Sequence, residues 1–137
     1  MAFAYVGSVS LPSLATVHDL VPFAHVADLQ RSIDFYARLG FGVRNRLDVD
    51  EQPVWAWLES ADARLMIAIA GAPIRAEEQA VLFYAYSADL PALRDELISA
   101  GVEVGEITHP EHMQSGELRV QDPDGYVLLI GQMTGRP

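Results

Sequence analysis

The sequence predicts an α+β fold made of two copies of one module. Residues 21–43 and 82–104 align without a gap at an offset of 61 residues. In each copy an apolar run ends at an aspartate, Asp28 or Asp89, and a glycine, Gly40 or Gly101, follows twelve residues later. A second apolar run then begins. A repeat of this kind indicates that each copy is one supersecondary unit that needs its neighbour to bury a core.

The first module, residues 20–70, has the predicted order βαβββ. Its apolar segment 20–26 suits a strand, and Asp28 can accept hydrogen bonds from the first free N–H groups of a helix. An apolar stripe at helical spacing follows, and Gly40 is suited to end the helix. The stripe consists of Leu29, Ile33, Tyr36 and Leu39. Polar turns separate three further predicted strands at 42–48, 53–59 and 64–70.

The second module, residues 80–133, repeats this order after a linker at 71–79 that is rich in Gly, Pro and charge. Its helix begins after Asp89 with Pro91 in the first turn, where a missing N–H costs nothing, and ends at Gly101. The predicted strands are 80–87, 102–107, 117–122 and 126–132. Residues 1–19 are predicted to be an N-terminal arm and residues 134–137 a tail, all within one domain.

Composition excludes several classes of function. The formal net charge of −10 argues against nucleic acid as a partner and suits a cationic ligand. The chain has no Cys, and its nine basic residues are all Arg, so thiolate metal sites, disulfides and Schiff-base chemistry are excluded. The longest uncharged apolar run, residues 65–74, is too short to cross a bilayer. Since residues 1–19 also lack a basic n-region, we expect a cytoplasmic protein without a membrane partner.

Two sequence strings carry a family resemblance. Together with the repeat, DLQRSIDFYARLGF at 28–41 and DPDGY at 122–126 resemble the vicinal-oxygen-chelate superfamily. That superfamily includes glyoxalase I, extradiol dioxygenases, and fosfomycin and bleomycin resistance proteins. The resemblance covers residues 20–133. It implies a curved mixed sheet around a cleft with the helices outside, and a homodimer, in which the cleft forms within one chain or across two.

The positions that carry metal ligands in catalytic members of that superfamily are apolar in this chain. They correspond to Val21, Leu82, Leu129 and the strand at 64–70, none of which offers a His nitrogen or a carboxylate oxygen. The resemblance therefore implies no metal cofactor. Because isomerisation and ring cleavage in the superfamily depend on the metal, we expect binding rather than catalysis, as in the bleomycin-resistance branch. Pro22 also matches that branch.

Side-chain alternation along the strands defines a candidate ligand-binding set. The set combines aromatic walls with a few polar groups, which is typical of a small-molecule pocket. It consists of Phe23, His25, Trp55, Trp57, Tyr84, Tyr86, Glu117, Arg119 and Gln121. Other interpretations stay open: core or dimer-interface positions for the aromatic residues, a structural His25, and a solvated Glu117–Arg119 pair.

Three functions follow as hypotheses. The first is sequestration of a cationic or aromatic small molecule. The second is a metal-dependent lyase, isomerase or dioxygenase with an unusual site drawn from His25, Glu117, His109 and His112, or metal-free acid–base work by His25 with Glu117. The third is an interaction domain with a filled cleft. The loop at 108–116, which holds His109 and His112, is expected to be exposed or to form a lip over the cleft.

Overall fold

The computed structural model describes Val17 and residues 19–134. Most of the predicted N-terminal arm, and the last three residues of the predicted tail, lie outside this part of the chain. The described part contains two helices and seven strands. In chain order they are β1 Phe23–Val26, α1 Leu29–Ala37, β2 Gly42–Val49, β3 Gln52–Ser60, β4 Ala63–Ile69, β5 Leu82–Ser87, α2 Leu90–Ser99, β6 Glu117–Gln121 and β7 Val127–Gln132.

The strands form two mixed sheets, which confirms the α+β class. The first sheet has the order β1-β4-β3-β2 and the second has the order β5-β7-β6. In each sheet the first strand of the module pairs in parallel with the last strand, and the other pairs are antiparallel. The two modules therefore share this topology, as the repeat in the sequence predicts, except that the second sheet has no counterpart of β2.

The helices begin and end where the repeated residues predict. The Asp28 carboxylate accepts a hydrogen bond from the Arg31 N–H at 3.0 Å, and the Asp89 carboxylate accepts one from the Ala92 N–H at 3.1 Å. Each bond satisfies an N–H group that has no partner within the helix. Gly40 (φ +95°) and Gly101 (φ +80°) then turn the chain out of the helices in the left-handed region.

The strand predicted at 102–107 is wrong. The segment alternates in burial as a strand would, but within the described chain only Thr108, the residue after it, forms a bridge, with Glu117. The Arg94 side chain of α2 instead donates to the Gly105 carbonyl at 2.8 Å and pairs with Glu106 at 3.1 Å. The segment is thus tied to the helix, and a groove of about 620 Å³ separates it from β6. Alternation of apolar and polar residues indicates which side chains are buried. It does not show whether the backbone forms hydrogen bonds with a neighbouring strand.

Both helices cover the same side of the sheets, and both modules contribute to one core. Alternate side chains face that core on the strands other than β2, whose residues are all exposed. On α1 the predicted stripe supplies Leu29 and Tyr36 as fully buried residues. The buried strand residues are Ala24, Val26, Ala56, Leu58, Leu65, Ile67, Leu118, Val120, Leu128 and Ile130. These residues belong to one core cluster, and burial of its apolar surface stabilises the fold.

The turn between β6 and β7 docks onto the first helix. Asp122 and Asp124 in this turn are buried, although carboxylates are rarely buried without partners. The Tyr36 hydroxyl donates to Asp122 Oδ2 at 2.8 Å, and the Ser32 hydroxyl donates to Asp124 Oδ2 at 3.3 Å. Asp124 Oδ1 also accepts from the Ala27 N–H at 2.9 Å. The second module is therefore held to the first by hydrogen bonds to two buried carboxylates, a contact that the sequence analysis did not foresee.

Removal of the Tyr36 hydroxyl should destabilise the fold. In Tyr36→Phe, buried Asp122 Oδ2 loses its donor, and an unsatisfied buried acceptor costs about 1–3 kcal/mol of the free energy of unfolding. Tyr126→Phe is the matched control, because that hydroxyl donates to the His25 carbonyl at 3.0 Å in an exposed setting. Urea denaturation should show the larger loss for Tyr36→Phe; equal losses would contradict the role assigned to this contact.

The same carboxyl should make stability depend on pH. Burial raises the pKa of Asp122 above its usual 3.8, and the hydrogen bonds from Tyr36 and the turn only partly oppose this. The folded protein therefore binds this proton more tightly than the unfolded chain does. The resulting stabilisation is complete below pH 3.8 and is lost as pH rises through the raised pKa.

Asp122→Asn keeps an acceptor for the turn and removes this titration. Across that pH window, the unfolding free energy of the natural protein should fall relative to that of the variant. Urea denaturation at successive pH values measures the difference, and a difference that stays constant would refute the effect of burial on this group.

Candidate functional site

The face of the first sheet opposite the helices carries four of the predicted site residues, namely Phe23, His25, Trp55 and Trp57. They lie in two rows across three strands. Met66 pairs with Phe23 on one side and Trp57 on the other, and Ala68 likewise joins His25 to Trp55. Paired residues direct their side chains to the same face, so each row is continuous. This face is apolar and aromatic, with the His25 ring 5.5 Å from the Phe23 ring.

The corresponding face of the second sheet carries the other five predicted residues, Tyr84, Tyr86, Glu117, Arg119 and Gln121. Gly131 pairs with Tyr86 and with Glu117, so these two side chains flank a residue that has none. In the next row, Leu129 pairs with Tyr84 and with Arg119. The structure therefore brings the nine predicted residues to two equivalent faces, and their role in binding a ligand stays a prediction.

A polar cluster forms on the second face around Glu117. Glu117 Oε2 accepts a hydrogen bond from the Tyr84 hydroxyl at 2.7 Å, and His112 Nε2 contacts the same oxygen at 2.7 Å. Gly131 leaves room for this arrangement. A Cβ at that position would make a tight contact of 3.1 Å with the Tyr84 oxygen and would displace the flexible end of Met113, whose Cε lies 2.8 Å away.

The cluster shifts the pKa values of two of its members in opposite directions. Partial burial alone would raise the pKa of Glu117, but the hydrogen bonds from Tyr84 and His112 outweigh it and hold that pKa below its usual value. Burial, together with the adjacent carboxylate, raises the pKa of Tyr84 to about 12. At neutral pH the cluster therefore contains an ionised carboxylate and a protonated phenol.

His112 is the site residue whose contact the sequence analysis missed. The loop at 108–116 contains a single 3₁₀ turn, Glu111–Met113, whose last residue lies above Gly131. The loop thus lies against the second face, and His112 reaches from it to Glu117. Its role as a lip over a cleft stays a prediction. His109 points elsewhere, with Nδ1 2.8 Å from the Gln114 carbonyl oxygen. Only the short spacing from His112 to a strand carboxylate hinted at this contact.

A metal site does not emerge from the described residues. Val17 and residues 19–134 contain no group of three or more His, Cys, Asp or Glu side chains placed to hold an ion. The superfamily positions Val21, Leu82 and Leu129 offer no donor, and His112 with Glu117 makes only two. The expectation that the protein uses no metal stays a prediction.

Comparison of the sequence with family models gives a match that spans most of the chain. The model of the Glyoxalase/Bleomycin resistance protein/Dioxygenase superfamily matches residues 19–130. The chain belongs to this superfamily. The membership confirms the resemblance carried by the repeat and by the two sequence strings. No curated protein is similar enough to this superfamily member to count as a relative.

Solved structures share the fold. A bleomycin-binding protein complexed with bleomycin is 20% identical, with a TM-score of 0.70 over 85% of this chain and 99% of its own. A bleomycin resistance determinant encoded on transposon Tn5 is 19% identical, with a TM-score of 0.71 over 87% and 100%. TnmS3, an antibiotic-binding protein from Streptomyces sp. CB03234, is 19% identical, with a TM-score of 0.67 over 89% and 100%.

Identities this low establish the fold of the superfamily member and leave its ligand open. Neither helix of the described part is long and apolar enough to cross a membrane. The cytoplasmic location expected from the sequence stays a prediction.

The carboxylate of Glu117 should control the titration of Tyr84. In Glu117→Gln the negative charge is gone, so the pKa of Tyr84 should fall from about 12 part of the way toward its usual 10.0. The fall is partial because burial, the largest cause, remains. Tyrosine ring resonances followed by NMR against pH, with Tyr84→Phe for assignment, measure this. Glu59→Gln, which breaks the Arg44 pair on the other sheet, should leave it unchanged; an unshifted Tyr84 in Glu117→Gln would contradict the coupling.

Proposed function

We propose that this superfamily member is a small-molecule-binding protein that sequesters a cationic or aromatic ligand in an aromatic-lined cleft, without a metal and without making or breaking bonds. The observation that carries the proposal is the pair of equivalent aromatic faces, one on each sheet, that point away from the shared core. Large aromatic side chains left half exposed in this way mark a binding surface rather than a packing requirement.

The exposed rings supply the contact area that such binding needs. Phe23, Tyr84 and Tyr86 are 48%, 42% and 59% exposed. Covering apolar surface of this kind contributes about 25 cal/mol per Å², and ring faces also attract cations. His25, Arg119 and Gln121 would then orient the ligand by hydrogen bonds, as the few polar groups of small-molecule pockets do.

The comparisons support this proposal over the enzymatic alternative. The bleomycin-binding protein and TnmS3 bind antibiotics by their own descriptions, and both share this fold. The enzymatic branches of the superfamily rely on a metal, whose usual positions here are Val21, Leu82 and Leu129. Sequestration needs only a cleft of suitable shape with an aromatic lining, and the two faces of this chain supply the aromatic residues for such a lining.

We also propose that the cleft is completed by a second copy of the chain. Both aromatic faces lie opposite the helices, and the rest of the described chain leaves Phe23, Tyr84, Tyr86 and Leu82 extensively exposed. A twofold dimer would set the first-sheet face of one protomer against the second-sheet face of its partner and form two equal clefts.

Ligand binding should change the fluorescence of the protein, because Trp55 and Trp57 are its only tryptophans and both lie on the first-sheet face. A screen of cationic and aromatic antibiotics that includes bleomycin should yield a tight binder that shifts the emission. Trp55→Phe and Trp57→Phe should each reduce the response. A tight binder that leaves both tryptophans unaffected would contradict the cleft assignment.

Metal content separates binding from the enzymatic alternative. Protein purified without a nickel column should contain far less than one equivalent of Fe, Mn, Ni or Zn by elemental analysis, because the superfamily ligand positions are apolar. His25→Ala serves as the comparison. A stoichiometric metal that is lost in His25→Ala would overturn the metal-free proposal.

A charge placed on the first-sheet face should break the dimer. Analytical ultracentrifugation should give twice the chain mass of 15.0 kDa for the natural protein and a shift toward monomer for Phe23→Glu. Ile98→Glu on α2 is the matched control, since Ile98 and Phe23 are both 48% exposed in one chain. Dimers of equal strength in the two variants would contradict an interface at this face.

A further inference from the structure

The polar cluster on the second face has the chemistry of a subsite that the binding proposal leaves unspecified. We propose that Glu117, with the rings of Tyr84 and Tyr86, binds the cationic group of the ligand, and that His112 occupies this subsite while no ligand is bound. The inference rests on the proposed binding function. Beyond that function, it specifies that the recognised group of the ligand is a cation and that the ligand displaces the His112 side chain.

The Glu117 carboxylate is fixed in place and still accessible. Its side chain is only 11% exposed, and Oε2 accepts from both Tyr84 and His112 at 2.7 Å. Within the described part of the chain Oε1 has no hydrogen-bond partner, and it is not among the buried side-chain atoms that lack one, so it reaches the surface there. The Glu117 carboxylate therefore has a fixed position, and its Oε1 can accept a charge-assisted hydrogen bond from a cationic ligand.

Two tyrosine rings extend the subsite. The Tyr84 and Tyr86 ring centroids lie 5.4 Å apart with the planes tilted by 55°, and both rings are substantially exposed. A cation at the Glu117 carboxylate would lie beside these rings, where the ring faces add attraction. Met113, which lies above Gly131, supplies a flexible apolar edge. The pattern fits a flat aromatic cation better than a small inorganic ion.

His112 has the properties of a replaceable occupant. Its side chain is 62% exposed although Nε2 contacts Glu117, and it comes from a single 3₁₀ turn rather than from a strand. The turn itself is held by backbone bonds from the Met113 N–H to the Pro110 carbonyl at 2.9 Å and from the Gly116 N–H to the Met113 carbonyl at 3.1 Å. The imidazole can therefore swing away while the turn stays in place. A contact made by an imidazole this exposed contributes about 0–1 kcal/mol, so a ligand can displace the ring.

The surrounding charges favour a cationic ligand. The net charge of −10 attracts cations toward the protein at long range. Arg119 lies on the same face of β6, two residues along, but it does not form an ion pair with Glu117, whose shown partners are Tyr84 and His112. The carboxylate thus remains available for an external cation once His112 moves.

Benzamidine and benzamide test the subsite, because both are flat aromatic molecules of similar shape and only benzamidine is a cation at neutral pH. Isothermal titration of the full chain should show benzamidine binding at least about tenfold more tightly, which corresponds to about 1.4 kcal/mol. Glu117→Gln should abolish this preference and leave benzamide binding unchanged. His112→Ala should strengthen benzamidine binding by up to about fivefold, because the competing imidazole is gone.

Two control variants sharpen the test. His109→Ala removes a histidine of the same loop that contacts the Gln114 carbonyl, and Glu59→Gln neutralises an acid on the other sheet. Neither should change the benzamidine preference. Equal binding of benzamidine and benzamide, or an unchanged preference in Glu117→Gln, would overturn the cation subsite. Unchanged or weaker benzamidine binding in His112→Ala would overturn the role of His112 as occupant.

The outcome also separates this inference from the function on which it rests. If an antibiotic shifts the tryptophan emission while benzamidine shows no advantage, the binding function stands and the cation subsite fails. If no antibiotic binds and benzamidine shows no advantage either, both proposals fail.

Discussion

Two buried carboxylates determine how the halves of this protein fit together. Asp122 and Asp124 are withdrawn from water in a tight turn, and such burial is costly unless every lone pair finds a donor. Tyr36, Ser32 and the backbone of Ala27 supply those donors from the first module. Because these bonds form only when the turn lies against α1, they specify one docking of the modules, whereas apolar contacts alone would tolerate several.

This docking places the helices on one side of both sheets and leaves the opposite faces outward. The strand side chains that alternate with the core residues therefore form two outward faces, one on each sheet. In the proposed function each face is half of a cleft, and a second surface completes the ligand site. The constraint that joins the modules is thus also the reason why binding and self-association are linked in the proposed function.

The two faces began as copies and have diverged chemically. The row that contains Trp55, Ala68 and His25 on the first sheet corresponds to Glu117, Gly131 and Tyr86 on the second. Where the first face has a large ring, the second has a carboxylate. Gly131, at the position equivalent to Ala68, leaves room for the Tyr84 hydroxyl. The first face therefore offers aromatic contact area, and the second offers a carboxylate that is held in one orientation.

The sequence by itself determined the repeated module, its order of helix and strands apart from the strand predicted at 102–107, the helix ends at Asp28, Gly40, Asp89 and Gly101, and the parity of the strand faces. Such features depend on neighbours along the chain or on a period of two, and local physics decides them. Only the tertiary structure decided that residues 102–107 lie beside α2, that the Asp122 turn is buried, and that His112 reaches Glu117. Each of these depends on a partner distant in the fold or on the path of an irregular loop, and no local pattern encodes such a distance.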